Sequence, residues 1–243
     1  MNTSYARWSA PLLLLAVCAY AEHRPSPPPP LRITFATMPE KWDVRGVPGC
    51  PKAVFTAGEP AGSNRVLRMT SDKASATLKS GKLDVDLSQT PIMRWRWKSA
   101  TLPTTADGRD PKRDDQAIGL YVSTGSLLRQ KCLAYRWETL TPKGASGRAK
   151  YAAGVVSLFW LCVRNQDDLV APDADGWFVD EANIAADFQK AFGEIPEKIG
   201  LGISCNSQLT GTKAEALLDW VEFHPAYPPS AANAQPAENP GKP

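Results

Sequence analysis

The feature that most constrains this chain is an alternation of apolar and polar residues with a period of two. Residues 93–98 read Met-Arg-Trp-Arg-Trp-Lys, which gives one strand an apolar face and a cationic face. Short runs of this kind, roughly ten in all, recur between Gly, Pro and Asp turns. The other runs are Leu31–Phe35, Arg65–Thr70, Ser75–Lys79, Lys82–Ser88, Ile118–Ser123, Cys132–Trp137, Gly154–Arg164, Ile199–Cys205 and Ala216–Phe223. The pattern predicts an all-β, antiparallel β-sandwich of jelly-roll or galactose-binding-like type.

One segment departs from this period. Apolar residues recur at spacings of three and four over residues 184–192, which is the period of an amphipathic helix. Gly193 follows as a left-handed cap, and Pro196 prevents continuation. The sequence therefore predicts one short helix near residues 184–192, packed across the edge of a sheet.

The first 21 residues are predicted to be a signal peptide. Arg7 precedes an apolar stretch around Leu12–Leu15, and Ala19-Tyr20-Ala21 places small residues where signal peptidase cleaves. The stretch is shorter than the about twenty residues of a membrane span. We expect cleavage after Ala21 and a periplasmic or secreted protein. A lipid anchor at Cys18 is disfavoured, because Val17 stands where a small residue is required.

Composition divides the remaining chain into three parts. Residues 22–30 form a proline-rich leader, residues 31–225 the β-sandwich domain, and residues 226–243 a tail predicted to be disordered. No segment after the signal is apolar enough to span a bilayer. The formal net charge is +3 and the charges are interleaved, so no nucleic-acid surface is expected.

Cysteine usage agrees with export. Cys18 leaves with the signal, and the four that remain, an even set, can form disulfides in an oxidising compartment. If the strands around Cys132 and Cys162 are neighbours in an antiparallel hairpin, these two residues lie opposite each other. This register predicts the pairs Cys132–Cys162 and Cys50–Cys205. The alternative is that some of the four are buried thiols.

Several short motifs in order resemble a bacterial family called domain of unknown function 3047. They are Trp95-Arg96-Trp97-Lys98, Leu102-Pro103, Ala106-Asp107, Asp114-Asp115, Leu120-Tyr121-Val122, Ala134-Tyr135-Arg136-Trp137, Trp177, Asn183, Ala186-Asp187-Phe188, Ala191-Phe192-Gly193 and Pro196. The resemblance implies an exported β-sandwich and no defined reaction. Where the family tends to carry two Asp separated by one residue, this chain has Asn206 and Gln208, so a cation-binding role for that stretch is in doubt here.

The sequence offers few residues suited to catalysis or to metal binding. The two histidines downstream of the signal peptide are His23, in the leader, and His224, at the C-terminal end of the domain. These positions argue against a catalytic Ser-His-Asp or Cys-His arrangement and against a metal site with histidine ligands. Asp107, Asp110 and Asp114 are weak calcium candidates, but the spacing matches no defined calcium loop and Asp residues commonly shape turns. No cofactor is predicted. Asp115 and Glu138 are the only candidates for the paired acids of a glycosidase.

The aromatic strands favour a different function. Exposed ring faces give stacking surfaces for sugars, although Trp and Tyr also dominate sandwich cores. The sequence favours a non-catalytic binding module for a glycan or similar ligand over a carbohydrate-active hydrolase or a structural envelope protein. The residues predicted to contact the ligand are Arg94, Arg96, Tyr135, Trp137, Asn206 and Gln208. Oligomeric state is left open.

Overall fold

The computed structural model describes residues 29–126, 128–169 and 176–227. The predicted signal peptide with Cys18, most of the leader and the tail from residue 228 lie outside these residues. No helix in the described ranges is both long and apolar enough to cross a membrane.

Thirteen strands and one α-helix make up the regular structure of the described residues. The strands are β1 Leu31–Thr34, β2 Asp43–Gly46, β3 Val54–Ala61, β4 Asn64–Asp72, β5 Ser75–Leu83, β6 Ile92–Thr101, β7 Ile118–Ser126, β8 Arg129–Trp137, β9 Ser146–Tyr151, β10 Val156–Arg164, β11 Phe178–Asn183, β12 Ile199–Asn206 and β13 Lys213–His224; the helix is α1 Ile184–Phe192.

The strands form two sheets packed face to face. One sheet has six strands in the order β11-β6-β13-β4-β3, with β1 also paired to β13, and the other has seven in the order β2-β5-β12-β7-β8-β10-β9. Within the described residues every strand pair is antiparallel except β8 with β10, which is parallel. The predicted all-β sandwich with one short helix is confirmed.

The core between the sheets is rich in aromatic rings. The alternation in β6 points Trp95 and Trp97 inward, where both are fully buried. Trp97 packs edge-on against Trp137 of β8 at 5.6 Å between ring centroids, and Trp95 lies 5.4 Å from Tyr135. Aromatic pairs of this geometry contribute about 0.5–1.5 kcal/mol each beyond the area that they bury. The predicted apolar face of β6 is therefore the face that holds the two sheets together.

Helix α1 begins and ends at the predicted residues. The Asn183 side chain accepts a hydrogen bond from the Ala186 amide at 2.9 Å, and Gly193 takes the left-handed conformation with a φ of 74°. Phe188 is fully buried on the inward face. The hydroxyl of Tyr135, in β8, donates a hydrogen bond to Asp187 of the helix at 2.6 Å. This bond links the helix to the seven-stranded sheet.

One predicted strand is absent, and four short strands were missed. Strand β5 ends at Leu83, and residues 84–86 belong to no strand, although Val85 and, at the start of the following turn, Leu87 are buried as the alternation requires. A turn closed by the Asp86 carbonyl then reverses the chain. Burial alternates along β9 and β11, but the sequences of β2, β3 and β11 show no sustained alternation of apolar and polar residues, and β9 alternates with little apolar bulk before Tyr151.

The predicted disulfides are wrong. Cys50, Cys132, Cys162 and Cys205 are free thiols. Strand β9 lies outside β10, so β8 and β10 run parallel, with Cys132 opposite Leu158 and Cys162 opposite Arg136. The two sulfurs are thus four residues out of register, roughly 13 Å along the strands, which is too far for a disulfide.

Candidate functional site

The outer face of the seven-stranded sheet has an unusual composition. The inward positions of β12 are Ile199, Leu201, Ile203 and Cys205, all core residues. Its outward positions, like those of the neighbouring β7, are mostly Gly and Ser. A face exposed only to solvent commonly carries long charged side chains. Here the small residues leave a floor that is open to a ligand.

This floor lies in a long groove made of three joined depressions. Their volumes are about 610, 250 and 620 Å³. The first two share Thr77, Tyr121 and Tyr151, and the last two share Ser80, Ser123 and Gln130. Along β5 the lining runs from Ser75 to Lys82, a length of roughly 23 Å at the rise of a strand. The groove therefore follows the strands and suits an elongated ligand.

A buried arginine lies at one end of the groove. Arg136 of β8 points outward but is only 1% exposed, and its Nη1 donates to Asp114 at 2.7 Å and to Glu138 at 3.3 Å. Its guanidinium lies 5.9 Å from the centroid of the Tyr121 ring and 5.5 Å from that of Trp160. Burial raises the pKa of Glu138, although Arg136 acts to lower it.

Two tyrosines flank the groove, and one loop holds both hydroxyls. The loop between β6 and β7 places Asp114 and Gln116 toward the groove. Tyr151, 42% exposed at the end of β9, donates to Asp114, and Tyr121 of β7 donates to Gln116 at 2.6 Å. Burial raises the pKa of both tyrosines. The rings are therefore neutral near pH 7 and fixed at their polar ends.

Asn206 belongs to the same site. Its side-chain amide donates to Gln116 at 2.9 Å and accepts from the Ser75 hydroxyl at 2.7 Å. Gln208 lines the groove beside it. Two of the predicted ligand residues thus lie where a ligand can reach them, in a network of uncharged groups.

A small hydrophobic cluster forms the wall beyond β8. Leu158 and Trp160 of β10 pack with Cys132 and Ala134 on the outer face. Gly147 of β9 lies under the indole of Trp160, so close that a Cβ there would be 2.6 Å from Cζ2 of the ring. The glycine therefore sets how deeply the indole sits.

The structure does not bring the other four predicted ligand residues to this groove. Arg94 and Arg96 lie on the outer face of the six-stranded sheet, where Arg96 pairs with Asp219 at 2.7 Å. Tyr135 and Trp137 occupy inward positions of β8 and are 2% and 1% exposed. The predicted set is thus divided among two outer faces and the core, because residues of one strand alternate between faces.

The predicted catalytic pair is closed to solvent. Asp115 and Glu138 are both fully buried and do not line the groove. Asp115 accepts from the Thr210 amide at 2.7 Å, and Glu138 accepts from the Gly108 amide at 2.9 Å and from Thr141. Each carboxylate therefore accepts a hydrogen bond from a loop amide and fixes the position of that loop.

The three weak calcium candidates lie against arginines. Asp107 pairs with Arg109 at 2.7 Å and Asp110 with Arg113 at 2.9 Å, while Asp114 pairs with the buried guanidinium already described. The Arg109 side chain holds the pKa of Asp107 at about 2. In the described residues no three His, Cys, Asp or Glu side chains form a group suited to a metal ion.

Several residues of the site were missed, among them Tyr121, Arg136 and Tyr151, and the network residues Gln116 and Ser75. The alternation of inward and outward residues along β8 could have predicted Arg136. If Tyr135 and Trp137 point into the core, Arg136 between them must point outward. A weaker signal exists for Tyr151, because Gly147, Ala149 and Tyr151 alternate with Ser146, Arg148 and Lys150 in β9.

A family model described as "Protein of unknown function (DUF3047)" matches residues 40–222. No curated protein matches the chain significantly. Among solved structures, the chain is similar to the family 11 carbohydrate-binding module of a cellulosomal cellulase of Clostridium thermocellum, with a TM-score of 0.43 and 8% identity over 82% of this chain and 95% of the module. It is similar to the xyloglucanase domain of a Sinorhizobium fredii effector in complex with cellobiose, with a TM-score of 0.45 and 11% identity over 82% and 100%. It is also similar to winged bean acidic lectin in complex with methyl-α-D-galactose, with a TM-score of 0.43 and 10% identity over 82% and 100%.

Proposed function

The chain belongs to the DUF3047 family, whose function is unknown, and we propose that it is a carbohydrate-binding protein whose ligand lies in the groove on the seven-stranded sheet. The observation that carries this proposal is the pair of tyrosines fixed at their hydroxyls beside a floor of small residues. Ring faces held in this way can pack against the C–H bonds of sugar rings with little loss of side-chain entropy.

The polar groups around the rings suit hydroxyl recognition. Gln116, Asn206 and Ser75 form a connected hydrogen-bond network at one end, and Ser123 and Gln130 line the middle. Amides and hydroxyls both donate and accept, as sugar hydroxyls do. Arg136 already contacts two carboxyl groups, those of Asp114 and Glu138, so it needs no charge from the ligand.

Binding without cleavage is the proposed activity. Both carboxyl groups suggested by the sequence for catalysis are buried under loops, and Asp114, which does line the groove, already accepts from a tyrosine and an arginine. A general acid must reach the glycosidic oxygen, and none of these three carboxyl groups is placed to do so. The predicted export from the cytoplasm remains part of this proposal, because polysaccharide is then within reach.

Affinity electrophoresis against a panel of polysaccharides tests the proposal. We expect Tyr151→Ala to weaken binding by about 2- to 12-fold, the value of one aromatic contact. Tyr151→Phe keeps the ring and should keep most of the affinity. Tyr227→Ala is the control, since Tyr227 is 57% exposed and lies after β13. Failure to bind any polysaccharide, or full binding by Tyr151→Ala, would refute the proposal.

A further inference from the structure

Three lysines follow one wall of the groove. Lys79 and Lys82 are outward residues of β5, and Lys198 immediately precedes β12. All three are exposed and line the groove. Successive members are roughly 7–10 Å apart, from the rise along β5 and the diagonal step to β12. We propose that the carbohydrate is acidic, with carboxylate or sulfate groups that these lysines bind; this inference rests on the function proposed above.

Contacts within the protein do little to stabilise the charges of these three lysines. Their cross-strand neighbours on β12 are Gly200 opposite Lys82 and Gly202 opposite Lys79, so no acidic partner stands on that side. None of the three forms an ion pair within the described part of the chain. Like charges close together on a sheet are destabilising. An anionic ligand bound over the glycine floor would offset this repulsion.

The carboxylates nearby are engaged elsewhere. Asp43 lies opposite Lys79 on β2 but pairs with Arg45. Asp86 is held mainly by the Ser88 hydroxyl and amide, which donate to its carboxylate; Lys198 contributes least of the causes that lower its pKa and forms no ion pair with it.

At the same end, Glu194 pairs with Lys131 at 2.9 Å, and Glu197, next to Lys198 in the chain, lines the groove without an ion pair among the described residues. The three lysines therefore outnumber the unpaired glutamate and leave this wall with net positive charge.

The opposite end adds a second observation. The Nε atom of buried Arg136 has no hydrogen-bond partner among the described residues, although this arginine lines the groove. An unpaired buried donor is costly. A ligand oxygen that reached this atom from the groove would satisfy it. Acidic groups are thus bound at the lysine wall, while the arginine end offers a fixed donor.

Matched polymers separate charge from sugar recognition. Binding of polygalacturonate is compared with that of its methyl ester, and binding of dextran sulfate with that of dextran. We expect the acidic member of at least one pair to bind about 10-fold more tightly at low salt, and less so as salt screens the charges. The double variant Lys82→Gln/Lys198→Gln should lose that advantage. The single variant Lys82→Gln should lose part of it, and Lys213→Gln, which removes one charge from the six-stranded sheet, should keep it.

The outcomes separate this inference from the proposed function. Equal affinity for acidic and neutral polymers, reduced by Tyr151→Ala, overturns the acidic ligand and leaves carbohydrate binding intact. Binding to neither kind overturns both. Equal binding of a single-stranded oligonucleotide, also lost in the lysine variant, overturns the inference in favour of a general polyanion surface. Circular dichroism melting of each variant confirms that it is folded.

Discussion

Replacement of Arg136 by Met tests whether the site depends on its buried cation. The change keeps an unbranched side chain but leaves Asp114 and Glu138 without the guanidinium that contacts them at 2.7 and 3.3 Å. Removing one member of a buried ion pair costs about 3–5 kcal/mol, because the remaining charge is desolvated and unpaired. For a domain of this size we expect the melting temperature to fall by roughly 6–20 °C.

Chemical denaturation at several pH values measures this loss and its cause. In Arg136→Met the pKa of Glu138, already raised by burial, rises further because the arginine no longer lowers it. The folded state then binds a proton more tightly than the unfolded state, so the penalty should shrink as the pH falls from about 8 to about 5. Adding Glu138→Gln should restore part of the lost stability.

The control is Arg32→Met, which breaks an ion pair whose arginine side chain is 48% exposed. We expect a loss of no more than about 1 kcal/mol there. A loss below about 1 kcal/mol in Arg136→Met, or no rescue by Glu138→Gln, would contradict the reasoning that an uncompensated buried charge governs this site.

Three further predictions concern packing, thiols and acid. Gly147→Ala should destabilise by about 1–3 kcal/mol, because its Cβ displaces the Trp160 indole, whereas Gly81→Ala meets nothing within 4 Å and should change little; thermal melts compare the two. In the native protein only half-buried Cys50 of the described cysteines should react promptly with a thiol reagent, and the others should react on unfolding. Prompt reaction of a second thiol would count against the packing. Asp107 stabilises the fold above about pH 4 and loses this contribution toward pH 2, since its pKa is held at about 2, so Asp107→Asn should lower stability at neutral pH and not near pH 2.

The alternation in the sequence predicted much of the fold because burial enforces it. Residues 93–98 divide between core and surface as their period requires, and α1 lies at the predicted position because its cap residues and apolar spacing agree. The parallel pairing of β8 and β10 could not be predicted in this way. Alternation assigns side chains to a face but carries no information about which strand lies alongside, and the disulfide prediction depended on that neighbour.

Only two of the six predicted ligand residues line the candidate groove. Asn206 and Gln208 were identified by comparison with the acidic stretch of the family that the sequence resembles, whereas Tyr135 and Trp137 were assigned to a surface although they occupy the inward positions of a core strand. The long contacts that build the groove, such as Tyr151 to Asp114 across 37 positions of the chain, arise from the order of strands in the sheet. Periodicity within a strand does not report that order.

Strand β9, which pairs only with β10, has a consequence for how such a site can diversify. An edge strand is bound by one ladder of backbone hydrogen bonds, so insertions and side-chain changes in it disturb fewer neighbours than changes in a central strand. The sequence of the wall that contains Tyr151 can therefore change more freely than that of the floor around Arg136, because strand β8 is paired on both sides. Variation among relatives is expected to concentrate at this rim, so that one inherited scaffold can acquire new ligand preferences through a single peripheral segment.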